Sequence, residues 1–239
     1  MRAFTQNSKT ILSVDFDRFT TCPQICNYCY VGNMERIYPA YKQKIERNAN
    51  WAKDNPDNFA ETLNNEYKKL RKSDAKIFKN LEKLPVRIYG SGDYHPIHFK
   101  WLEKLEFKFY IISKSLTNAI LEKELEKLLE LKNLTKITLS FDAENIHNYF
   151  KCLKFFGKDK INFAYTGIAD DFNVLKLKGY EFNIFFNISD KKIEQEKSRK
   201  IKEQCPCDSK LIEHNESCTK CNKCWRSSIT KQSGWNTIL

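Results

Sequence analysis

The sequence predicts an α/β fold, a partial (β/α)6 TIM-like barrel followed by a C-terminal cysteine-rich extension. Three observations lead there. Short runs rich in Ile, Val, Phe, Tyr and Thr alternate with amphipathic stretches six times over. Of nine cysteines, three fall directly after the first run and five after the last. A chain of 239 residues is also long enough to bury roughly 70–75% of its unfolded surface, so it needs no disulfides to close a core.

The strand candidates are 10–14, 86–89, 107–113, 135–141, 160–166 and 180–187. Helical periodicity falls near 57–72, 96–104, 117–132, 144–156 and 170–177, with a further helix over about 190–204. Ser115 or Thr117 is placed to cap the run at 119–131, and Asp142 to cap the next. Six strand–helix units in series imply a parallel sheet with right-handed crossovers. Eight would close a barrel; six favour an open one. The expected division is a core over 1–189 and an extension over 190–239.

No run of about 18 apolar residues suggests a membrane span, and "MRAFTQNSKTILSVDF" lacks the pattern of a signal peptide. A cytoplasmic location follows, where cysteines more often ligate metal than form disulfides. The net charge of +11 invites a nucleic-acid partner. The basic residues are mostly Lys, with only eight Arg, and many sit beside Glu on helices, as in "LEKELEKLLELK" (121–132). That arrangement equally describes solvated helix faces or compositional bias.

The first connection, from 15 to 85, is long, and it opens with "TTCPQICNYCY" (20–30). Ligands of parallel α/β folds bind at the carboxyl ends of strands, which is where Cys22, Cys26 and Cys29 fall. Thiolates suit zinc or iron–sulfur clusters. Structural zinc requires four closed ligands, whereas three thiolates on a four-iron cluster leave one iron open to a small molecule. A zinc site borrowing His95 or a tail cysteine is the competing reading.

With Tyr28 before its last cysteine and its place after the first strand, the C-x3-C-x2-C triplet resembles that of the radical S-adenosylmethionine superfamily. The resemblance implies a [4Fe–4S] cluster on Cys22, Cys26 and Cys29, whose open iron chelates S-adenosylmethionine. Reductive cleavage would then give a 5′-deoxyadenosyl radical, with electrons from an external donor such as a flavodoxin or ferredoxin. Tyr28 matches the aromatic near the adenine. "YGSGDYHP" (89–96) follows the second strand, and Gly90, Ser91, Gly92 and Asp93 stand where the family uses Gly-Gly-Glu-Pro to hold the methionine amine. A plain turn with a capping Asp also accounts for it. Ser113, Lys114 and Ser115 end the third strand, Ser140 and Asp142 the fourth, within reach of a cofactor's ribose or carboxylate. Asn183 and Asn187 share a face of the last strand; His95 and His98 flank the glycine segment.

In the tail, "CPCDSKLIEHNESCTKCNKCW" (205–225) supplies Cys218-x2-Cys221-x2-Cys224 with Cys205-Pro206 upstream. Four thiolates would close a second [4Fe–4S] cluster, or a structural zinc site. Cys207 is an alternate ligand, and Cys152 reads as a buried residue. Cys22-Pro23, Tyr30, the Gly-Asp segment and the closing cysteine run with Trp225 together resemble the small phage-associated "gene product eighty-eight" type. The expected function is a radical S-adenosylmethionine enzyme of unassigned substrate. The alternative is a zinc-stabilised, basic nucleic-acid-binding protein without catalysis.

Overall fold

The structure, a computed structural model, describes residues 3–6, 12–22, 26, 29–72, 85–118 and 122–188. A seven-stranded sheet runs in strict chain order: β1 (Phe4–Gln6), β2 (Leu12–Val14), β3 (Val86–Ile88), β4 (Phe109–Ser113), β5 (Leu134–Phe141), β6 (Ile161–Gly167) and β7 (Ile184–Asn187). Strands β2 to β7 pair in parallel, and β1 pairs antiparallel with β2. The six expected strands are therefore present. Among the described residues the sheet is not closed, and β1 and β7 are its two edges. The expected extension over 190–239, with its helix, lies outside the described residues.

Two things differ from expectation. Strand β1 is additional, held by contacts far along the chain: the Ala3 N–H donates to Glu66 Oε2 (2.9 Å), and Lys44 Nζ donates to Phe4 O (2.5 Å) and Thr5 Oγ1 (2.8 Å). The long first connection also contains three helices before the expected one: α1 (Arg18–Thr21), α2 (Tyr30–Ile37) and α3 (Pro39–Asp54) precede α4 (Pro56–Arg71). Pro39 and Pro56 each stand in a first turn, where a missing N–H removes no intrahelical bond. Further along lie α5 (Phe99–Leu102), α6 (Glu122–Leu129), α7 (Tyr149–Cys152) and α8 (Ala169–Leu177).

Helices α3 to α8 contribute to one apolar core over one face of the sheet, with Ala52, Phe59, Trp101, Leu128, Tyr149 and Phe172 against Ile88, Ile111, Leu139 and Phe163. Sequential strand order with helices gathered on one face is how a βα barrel winds; a doubly wound sheet reverses its order and is covered on both faces. The opposite face is unusual. Parallel sheets are normally apolar on both sides, yet here Ser13, Arg87, Tyr110 and Lys136 stand in register across β2 to β5, followed by Thr138 beside Asn162.

Candidate functional site

The site begins at the carboxyl end of β2. Phe16, wholly buried, leaves the strand and packs on Tyr89, His98, Trp101 and Phe59 with ring centroids 4.8–6.0 Å apart. Burying such a ring is worth about 1.5–3 kcal/mol, enough to fix the start of the arm that follows. Helix α1 then turns, and the Cys22 N–H donates to Arg18 O (3.1 Å). The Cys29 N–H donates to Cys26 O (3.0 Å), and Cys29 stands at the N-cap position of α2. All three thiols are partly buried. An ion pair from Arg18 Nε to Glu35 Oε2 (3.1 Å) ties α1 to α2 across the cysteine loop.

The glycine segment clamps this arm. The Phe16 N–H donates to Ser91 O (3.1 Å), and Ser91 Oγ donates back to Phe16 O (2.9 Å). The Asp93 N–H donates to Thr21 Oγ1 (3.1 Å), which itself donates to Asp17 O (2.7 Å). A Cβ on Gly90 would lie 2.1 Å from Asp15 Oδ1. Gly92 has φ +78°, and a Cβ there would lie 2.5 Å from Thr21 Oγ1, the residue before Cys22. Both glycines are needed for close approach of β3's end to the cysteine arm.

Asp93 links this clamp to β4. Its carboxylate accepts hydrogen bonds from Ser113 Oγ (2.5 Å), Ser115 Oγ (3.1 Å) and the N–H groups of Tyr94 (2.6 Å), Lys114 (3.0 Å) and Ser115 (2.9 Å). Burial raises its pKa, while these bonds oppose the rise. So Asp93, Ser113 and Ser115 form one buried knot that fixes the β3 and β4 ends relative to each other. The resemblance implies cofactor contacts for Asp93 and Ser113; in this structure the two are bonded to each other, Ser113 Oγ donating to Asp93 Oδ1.

Lys114 is the cation of the site. Its Nζ donates to Asp142 Oδ2 (2.6 Å), Glu144 Oε2 (2.7 Å) and Cys26 Sγ (3.5 Å). Cys26, Asp142 and Glu144 bring ligand atoms within 4.8 Å of one another, a spacing suited to a metal ion. The ammonium bonds to all three and supplies the positive charge such a group requires. Burial works against that charge, but the bonds to Asp142 and Glu144 outweigh it and hold the Lys114 pKa above the ordinary lysine value. Burial, then Asp93, then Cys29 and Cys26 push the Cys22 thiol well up. Cys26 and Cys29 are thus close enough to Cys22 to act on its charge, and three neighbouring soft sulfur donors suit a bound cationic centre. The residues therefore fit an iron–sulfur cluster at Cys22, Cys26 and Cys29.

Other candidates take structural places. His98 is buried, with Nδ1 2.8 Å from Tyr89 Oη, and burial lowers its pKa to about 3. His95 Nδ1 accepts from the Ile97 N–H. Asn183 completes the pairing of β7 to β6, donating its N–H to Phe163 O and accepting the Phe163 N–H at Oδ1. Asn187 is in strand register with Gly167. Ser140 Oγ pairs with Thr166 Oγ1 at 3.0 Å. Asp142 does cap, accepting the Glu144 and Asn145 N–H groups, in addition to binding Lys114. Cys152 is buried and its Sγ approaches Thr117 O (3.5 Å). Tyr28 and the tail cysteines Cys205, Cys207, Cys218, Cys221 and Cys224 lie outside the described residues. The Arg18–Glu35 tie had only a weak sequence signal, opposite charges flanking the triplet.

Among the described residues no helix is long and apolar enough to cross a membrane. No curated protein and no solved structure matches the chain. A family profile described as Gene product 88, a description that names no activity, matches residues 3–227, nearly the whole sequence, and the chain belongs to that family.

Proposed function

We propose that this is a radical S-adenosylmethionine enzyme built on a partial (β/α)6 barrel, acting on a substrate not yet identified. What supports the reading is that Cys22, Cys26 and Cys29 follow β2 at the carboxyl end of a parallel sheet, with Cys22 near enough to the other two to respond to their charge and on an arm clamped from the end of β3. In this reading Cys22, Cys26 and Cys29 would hold a [4Fe–4S] cluster, and the chemistry it would supply is one-electron reductive cleavage of S-adenosylmethionine to methionine and a 5′-deoxyadenosyl radical, the electron coming from an external flavodoxin- or ferredoxin-type donor.

The chain's own residues supply position and charge. Phe16, Ser91, Gly92 and Thr21 set where Cys22 emerges. Lys114 places a fixed ammonium beside Cys26, held by Asp142 and Glu144, so that the carboxylates do not repel an anionic thiolate set. Cys205, Cys218, Cys221 and Cys224 are proposed, from spacing alone, to hold a second [4Fe–4S] cluster or a zinc ion. The test is Cys26→Ala: reconstituted and reduced with dithionite in the presence of S-adenosylmethionine, the unaltered chain is expected to form 5′-deoxyadenosine and the variant to form none. Equal product from the variant would sink the proposal.

A further inference from the structure

The polar face of the sheet carries a group the cysteine site does not use. Lys136 lies on β5 with none of its surface exposed, and its Nζ has no hydrogen-bond partner among the described residues. Thr138, two residues on and on the same face, is equally buried, and its Oγ1 is likewise unpartnered there. In register across the sheet stand Tyr110 beside Lys136, then Arg87 one strand further, with Asn162 beside Thr138. Burying an ammonium and a hydroxyl without partners costs several kcal/mol, and apolar residues at both positions would avoid that cost. Burial pushes the Lys136 pKa down, with Asp159 pulling it the other way. Asp159 is exposed and accepts from the Lys160 N–H, so it lies at the rim of this face.

The geometry points to an oxyanion-binding site on this face, with Lys136 and Thr138 as donors, that takes the phosphate or carboxylate group of a ligand. An oxyanion between them satisfies both orphaned groups at once, as charge-assisted hydrogen bonds. Phe141, at the cysteine end of β5, is five residues beyond Lys136, or about 16 Å along the strand. A ligand anchored at Lys136 and reaching the cysteines is therefore elongated, with its acidic group at the far end. That second step rests on the function proposed above; the oxyanion site itself does not.

The test uses the full chain as purified, without iron or S-adenosylmethionine, so its failure leaves the cysteine reading untouched. Thermal unfolding is followed against inorganic phosphate and, separately, acetate, with chloride holding ionic strength constant. Saturable stabilisation by either probe is expected, phosphate marking a phosphoryl group and acetate a carboxylate. Lys136→Met should weaken that response about tenfold or more, Thr138→Val should weaken it less, and Lys158→Met at an exposed position should leave it unchanged. If Lys136→Met does not fold, the near-isosteric Thr138→Val carries the test alone. Neither probe stabilising the unaltered chain, or an equal response in Lys136→Met, or in Thr138→Val where that stands alone, would overturn the proposal.

Discussion

Replacing Lys114 with Met removes the site's fixed cation while keeping its aliphatic stem. The side chains of Lys114 and Asp142 are 12% and 4% exposed, so the pair sits in the buried regime, where deleting one partner costs about 3–5 kcal/mol. Glu144 is 43% exposed, and its contact adds less than about 1 kcal/mol. Asp142 keeps two backbone donors, from Glu144 and Asn145, which soften the loss. The expected destabilisation is about 3 kcal/mol, or about 6–12 °C in Tm for a chain of this size. Adding Asp142→Asn removes the orphaned carboxylate but retains an acceptor for both N–H groups, so the double variant should recover part of the loss. Urea unfolding of the four members of this cycle measures it. A single variant as stable as the unaltered chain, or strictly additive losses, would refute the reasoning.

Two further outcomes follow from the geometry. Gly92→Ala forces a Cβ at positive φ against Thr21 and Phe16 and should cost about 2–5 kcal/mol; Gly157→Ala, also at positive φ but with nothing within 4 Å of its Cβ, should cost only about 1–2 kcal/mol, and similar losses in urea unfolding would remove the clamp argument. His98, with a folded pKa of about 3 against an ordinary 6.5, stays neutral where the unfolded chain takes up a proton, so its contribution is full above about pH 6.5 and falls at about 1.4 kcal/mol per pH unit toward pH 3. Between pH 6.5 and 5 the unaltered chain should therefore lose stability more steeply than His98→Gln; parallel profiles would contradict this.

Much of the sheet was legible because β2 to β7 are short apolar runs between turn residues, a local signal. Strand β1 was not: Phe4-Thr5-Gln6 is too short to show a pattern, and besides its pairing with β2 it is held by Lys44, Asn48 and Glu66, about forty and more positions away. Helix α3, "PAYKQKIERNANWAKD", carries few apolar residues, and its buried face includes Asn48, which donates to Ala3 O and Asp15 O. Polarity concealed its inward face. In the site, cysteine spacing identified the arm, and the strand end identified Lys114. Of its partners, Asp142 was legible both as a cap and as a strand-end candidate, whereas Glu144, two residues on, carried no signal of its own. Lys136 was unreadable for a different reason: "TKITLSF" alternates like a strand with one face to water, whereas this parallel sheet buries both faces around Lys136.

The most direct test of the central claim is the iron and zinc content of the chain purified without oxygen and reconstituted with iron and sulfide. About eight irons per chain, or about four with one zinc, is the expected result, the first four assigned to Cys22, Cys26 and Cys29 by their loss in Cys26→Ala. Zinc without iron after reconstitution would contradict it and leave a zinc-stabilised, basic nucleic-acid-binding protein in its place.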